Sequence, residues 1–111
     1  MIPGDYSPTL QRGDSWGITV RPTTSDGSPI DLTGWTATAQ VRSKADSTDV
    51  LATMTVVVGA NDIAVSLPPA ETARLSGKLV WDLETVDAGG IVRTLLSGTL
   101  TIVADVTRVV P

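Results

Sequence analysis

At 111 residues the chain has the size of one domain and is long enough to bury a core without a covalent staple. It contains neither cysteine nor histidine, which removes disulfides and the commonest zinc, copper and iron ligands, so no metal and no other cofactor is expected. Twelve acidic residues against eight scattered basic ones give a net charge of −4 and leave no clustered positive face, so no nucleic-acid partner is expected. The opening Met1-Ile2-Pro3-Gly4-Asp5 has no basic lead into an apolar run, and apolar runs such as Val56 to Val58 fall far short of the ~20 residues that cross a bilayer. Neither a secretory signal nor a membrane partner is expected; the chain reads as soluble and cytoplasmic as translated.

Short bursts of alternating apolar residues, divided by turn formers, predict half-buried strands rather than helices. After a loose opening, Met1 to Pro8, a first strand is expected over Ser15 to Arg21 with Trp16, Ile18 and Val20 on one face. Asp26-Gly27 marks a tight turn, and Pro29 to Gly34 forms a corner in which Leu32 tucks under the next strand. That strand runs from Trp35 to Arg42 with Trp35, Ala37, Ala39 and Val41 facing in; a polar loop follows at Ser43 to Asp49. Val50 to Val58 and Ile63 to Leu67 read as a hairpin turning at Gly59 to Asp62.

Pro68-Pro69 leading into Ala70-Glu71-Thr72-Ala73-Arg74-Leu75, with Gly77 after it, is the one helical signal. A helix of at most two turns there would cross between sheets, with Leu75 plugging the core. Leu79 to Val86 is a strand with Leu79, Trp81 and Leu83 inward and Asp82 and Glu84 outward; it turns at Asp87 to Gly90. Ile91 to Val103 is long for one strand, and Gly98 signals a bulge or a close approach of another backbone; Leu96, Leu100 and Ile102 would face the core. The expected fold is an all-β, immunoglobulin-like sandwich of about seven or eight antiparallel strands with a short helix near residues 69–75. It forms a single domain, 1–111, with an N-terminal arm (1–8) and a C-terminal arm (105–111).

Catalytic chemistry has little to stand on. Without histidine the usual base for a Ser or Thr nucleophile is missing, and Lys44 and Lys78 sit in a polar loop and at a strand end. Asp82 and Glu84 at i, i+2 share a strand face that reads as solvated, and the Asn61-Asp62 and Asp46/Asp49 groups are turn formers rather than a calcium loop. A non-enzymatic protein is expected. Trp16, Trp35 and Trp81 are in phase with aliphatic neighbours and are taken as core anchors in a domain that lacks Phe. Ile2, Pro3, Tyr6 and Pro8, with Val106, Arg108, Val109 and Val110, form the candidate interaction arms: intersubunit hooks or cover strands.

The order of motifs resembles a known group. Gln11-Arg12-Gly13-Asp14 precedes the first strand; Ile30-Asp31-Leu32-Thr33-Gly34-Trp35 precedes a strand ending Val41-Arg42-Ser43. Pro69-Ala70-Glu71-Thr72-Ala73-Arg74-Leu75, Trp81-Asp82-Leu83-Glu84, Gly89-Gly90 and Leu95-Leu96-Ser97-Gly98-Thr99-Leu100-Thr101-Ile102 follow, before Val106-Thr107-Arg108. Over nearly the whole chain this is similar to the small immunoglobulin-like sandwich domains of tailed bacteriophages, such as the N-terminal domain of baseplate upper proteins and the sandwich of collar and tail-fibre attachment proteins. The resemblance implies a virion structural protein made in the cytoplasm of a bacterial host. Such a protein would meet other phage structural proteins at the neck, tail or capsid in multiple symmetric copies. The alternative is a carbohydrate-binding or adhesin module on host-surface glycans, which requires an exposed tryptophan.

Overall fold

The computed structural model describes residues 4–44 and 46–104. In chain order the elements are β1 (Gly4–Asp5), β2 (Thr9–Gln11), β3 (Trp16–Val20), β4 (Thr36–Arg42), β5 (Ala52–Thr53), β6 (Thr55–Val58), β7 (Ile63–Leu67), α1 (Pro69–Thr72), β8 (Gly77–Val86) and β9 (Val92–Val103). They make two sheets. The larger runs β1-β9-β8-β4-β5, with β2 also on β9; the smaller runs β3-β7-β6.

The seven strands from β3 onward pair antiparallel throughout. Their order, β3-β7-β6 facing β4-β8-β9, is that of strands B-E-D facing C-F-G in an immunoglobulin-type sandwich, with β5 as a short extra strand beside C. The arm departs from that antiparallel rule: β1 and β2 lie parallel to β9, with Gly4 opposite Leu96 and Leu10 opposite Ile102.

Alternation produces the core directly. Ala39 and Val41 of β4, Leu79, Trp81 and Leu83 of β8, and Leu100 and Ile102 of β9 point inward and meet Ile63, Val65 and Leu67 of β7. Each such aliphatic side chain contributes roughly 1.5–3 kcal/mol through its removal from water. Leu32, held at the corner by its N–H donating to the Ala60 carbonyl at 2.9 Å, and Leu75 close the ends.

One local expectation is corrected and two are sharpened. Val50 to Val58 is not one strand: Ala52–Thr53 pairs with β4 in the large sheet, and Thr55–Val58 pairs with β7 in the small one. The chain changes sheets at buried Met54, whose N–H still donates to the Ala39 carbonyl at 2.9 Å. The helix is a single turn, because after Ala73 the bonds tighten to Arg74 N–H on Glu71 and Leu75 N–H on Thr72, a 3₁₀-like close; it does carry the chain from β7 to β8 and so between sheets. The irregularity in β9 falls at Leu95 rather than Gly98, since Leu83 pairs with Leu96 while Glu84 pairs with Thr94.

Candidate interaction surfaces

The arm is built onto one side of β9 by a run of different hydrogen bonds. Tyr6 N–H donates to the Ser97 carbonyl (3.1 Å), Thr101 N–H to the Pro8 carbonyl (3.1 Å) and Arg12 N–H to the Val103 carbonyl (2.8 Å). Between β1 and β2 the ladder lapses, and there the Ser7 hydroxyl accepts the Thr99 N–H at 3.1 Å. Gly98 permits this path, because any Cβ at that position would collide with the Tyr6 carbonyl. The sequence signal of a close backbone approach at Gly98 thus corresponds to the arm of the same chain.

Trp81 organises what lies beneath the arm. It is buried, at 3% exposure, and its indole Nε1–H donates to the Tyr6 carbonyl at 2.8 Å. Tyr6 and Trp16 both stand edge-on to it, with ring centroids 6.3 and 6.0 Å away. Such aromatic pairs are worth about 0.5–1.5 kcal/mol each beyond their burial. Tyr6 keeps 40% of its surface exposed, so it caps the seam between the sheets without being enclosed. Pro8 is half-buried and Leu10 fully buried, so the described part of the arm runs as a cover strand on its own domain. Ile2, Pro3, Val106, Arg108, Val109 and Val110, with the arm at 105–111, lie outside the described residues.

The end of the arm's last strand is tied to the helix corner. The buried Thr72 hydroxyl donates to the Asp14 carbonyl (2.8 Å) and accepts the Gly13 N–H (3.1 Å), while Arg12 Nε donates to the Leu75 carbonyl (3.2 Å). Gly13 turns there with a φ of +88°, a conformation that favours glycine.

Trp16 and Trp35 are only half-buried, although both pack against the core. Trp35 forms a wall of a cleft of about 480 Å³ between the edges of the two sheets, lined also by Val20, Pro22, Ile30, Arg93 and Leu95. Nothing in the alternation pattern marks this cleft, because its walls come from separate stretches of the chain that only the fold brings together. The Arg93 guanidinium is held by the Asp87 carboxylate at 2.9 Å.

Among the described residues β3 and β6 each pair on one side only, with β7, and Val57 on β6 is 61% exposed. The outer face of the large sheet is polar: Gln40 lies opposite Asp82, Thr38 opposite Glu84, and the Arg42 guanidinium donates to Gln40 Oε1 at 3.0 Å. Asp82 and Glu84 are exposed, and with Thr38, Gln40 and Arg42 they line a polar depression of about 250 Å³ on this face.

The three carboxylates with displaced acidity are turn locks. Asp26 is held below the ordinary carboxylate range first by the Thr24 hydroxyl and then by Ser28; Asp31 by the hydroxyl and then the N–H of Thr33. Asp87 is lowered mainly by the Ile91 N–H, with Arg93 and Gly89 adding to it against a smaller loss of hydration. A catalytic acid needs the opposite displacement, so these groups fix turns in their ionised form. Among the described residues no group of three or more acidic side chains is gathered to hold a metal, and every buried side-chain polar atom has a hydrogen-bond partner.

No family model and no curated protein matches the chain. Among solved structures it is similar to the filamin domain of Lin-41, at 17% identity and a TM-score of 0.48, over 86% of this chain and 82% of that one.

Proposed function

We propose that this chain is a non-enzymatic structural module of a tailed-bacteriophage particle, docking on other phage proteins at the neck, tail or capsid in multiple symmetric copies. The phage assignment rests on the order of motifs from Gln11-Arg12-Gly13-Asp14 to Val106-Thr107-Arg108, whose residues are turn formers, a helix start and core positions rather than a reactive site. The observation that carries a contact role is the unequal treatment of the sheet edges: β9 is covered from Leu96 onward by the chain's own arm, whereas among the described residues β3 and β6 each pair on one side only and offer the other to a neighbour. A glycan-binding role has one observation in its favour, the half-buried Trp35 beside Arg93 in a cleft, and would be carried by that cleft alone.

Mass spectrometry of purified particles whose genome encodes this chain tests the proposal. The chain is expected at a stoichiometry that matches a ring or lattice. Particles that lack it would end the virion assignment, and selective capture of glycans by the isolated domain, lost in Trp35→Ala, would replace it.

A further inference from the structure

We propose that the uncovered edge of β6 receives a second copy of this chain, with β6 pairing antiparallel to its counterpart across a two-fold axis at Val57. This rests on the contact reading of that edge given above and names its partner; it does not depend on the phage assignment.

The hydrogen-bond phase of β6 leads to the axis. Gly59 N–H donates to the Asp62 carbonyl at 2.7 Å, so Gly59 and Asp62 form a hydrogen-bonded pair at the mouth of the hairpin. Such pairs alternate with non-bonded ones along an antiparallel ladder. With Val58 opposite Ile63 and Val57 opposite Ala64, the next bonded pair is Val57 with Ala64, and the N–H and C=O of Val56 and Val58 point away from β7. A two-fold axis at Val57 sets Val56 opposite Val58 of the second copy, so each of these groups finds a partner. Val56 and Val58 pack against the core, which turns Val57 outward and leaves it 61% exposed. Across the axis the two Val57 side chains form a non-bonded pair, the kind in which Cα atoms approach to about 4.5 Å and side chains meet.

Charge favours a second copy over another partner. At a net charge of −4, copies of the chain repel one another over most of their surface. β3, β6 and β7 contain no charged residue, and the outer row of their sheet is Gly17, Thr19, Thr55, Val57, Ala64 and Ser66. Two acidic chains meet there without opposing charges, and the strand carries nothing to select a partner of opposite charge. Edge strands kept single usually hold a lysine, a proline or a bulge, and β6 has none of these. The contact is isologous and small, well under the ~1,000 Å² of a stable interface, so the chain is monomeric when dilute and pairs when concentrated.

The test follows amide hydrogen exchange and amide resonances of the full chain from micromolar to millimolar concentration. The N–H groups of Val56 and Val58 should gain protection as concentration rises, while that of Val57, already bonded to β7, should be protected throughout. A mixture of differently labelled chains should show nuclear Overhauser contacts between Val57 methyls of two molecules. Val57→Lys sets like charges against each other across the axis and should weaken the pairing roughly tenfold, whereas Val57→Ile should keep it. Unchanged exchange at Val56 and Val58 up to millimolar concentration would overturn the proposal. So would concentration-dependent changes confined to β3, or Val57 contacts found only within one molecule. If no pairing is seen but Val57→Lys is still lost from particles, the edge serves a different protein and the contact reading stands; if incorporation is unchanged as well, both fall.

Discussion

The two sheets of this sandwich end in different ways. Along the β9 edge, backbone groups from Ser97 to Val103 are taken up one after another by Tyr6, the Ser7 hydroxyl, Pro8 and Arg12, and Trp81 adds an indole bond to the same arm. Along β6, Thr55 to Val58 pairs on one side only among the described residues and leaves Val57 61% exposed. An uncovered strand edge is a template for association, and covering it is how a fold stays unassociated there. The difference therefore separates an edge used for the domain's own stability from an edge available to a neighbour.

The strongest way to break this contrast is to remove its anchor. Trp81→Ala deletes the indole on which Tyr6 and Trp16 both rest, and should cost about 3–5 kcal/mol in urea unfolding. A loss under about 1 kcal/mol would mean that the arm and the seam hold without it.

Gly98→Ala acts on the arm alone. Its Cβ would collide with the Tyr6 carbonyl, so the arm must lift, at a cost of about 1–3 kcal/mol. Uncovering β9 should also make the protein self-associate in sedimentation measurements. A variant as stable and as monomeric as the parent would show that the arm is not seated there.

Val57→Lys on the bare edge should leave stability within about 0.5 kcal/mol of the parent, because the side chain is exposed. It should nonetheless weaken incorporation into particles, since a charge on an edge strand discourages pairing. Equal incorporation would direct attention to β3 instead.

The smallest effect expected is acid sensitivity of the turns. Asp26, Asp31 and Asp87 are held below the ordinary aspartate value of about 3.9, so their contribution is present above it and is lost as pH falls through the lower folded values. Urea midpoints followed downward from about pH 5 should fall less steeply in Asp87→Asn than in the parent.

Much of this architecture could be read from alternation, and its failures have physical causes. Trp81, Leu83, Leu100 and Ile102 carried a clear inward period, and Gly98 marked a close backbone approach because only a missing Cβ explains its place in a strand. The break at Met54 was hidden. Ala52 and Met54 are both buried in phase, and Val56 and Val58 follow them half-buried, so the period continues unbroken while the pairing partner changes from β4 to β7. Periodicity reports which way a side chain faces and is silent on which strand lies alongside.

The arm was less legible still. Between Gly4 and Gln11 it shows little alternation, and the parallel course on β9 depends on a serine hydroxyl completing the ladder, for which sequence carries no signal. The cleft at Trp35 draws its walls from β3, the segment ahead of β4 and β9, which lie far apart in the sequence. Trp35 itself was in phase with Ala37 and Ala39, and its partial exposure follows from its position just ahead of β4, on the wall of the cleft.

The most direct test of the account is a reconstruction of a tailed-phage particle that encodes this chain, at a resolution that traces the arm. It should show the sandwich repeated around a ring or shell, residues 4–11 lying on β9 of the same chain, and a neighbouring protein against the small-sheet edge. A particle without the sandwich, or one in which the arm crosses to β9 of another copy while β6 faces solvent, would contradict it.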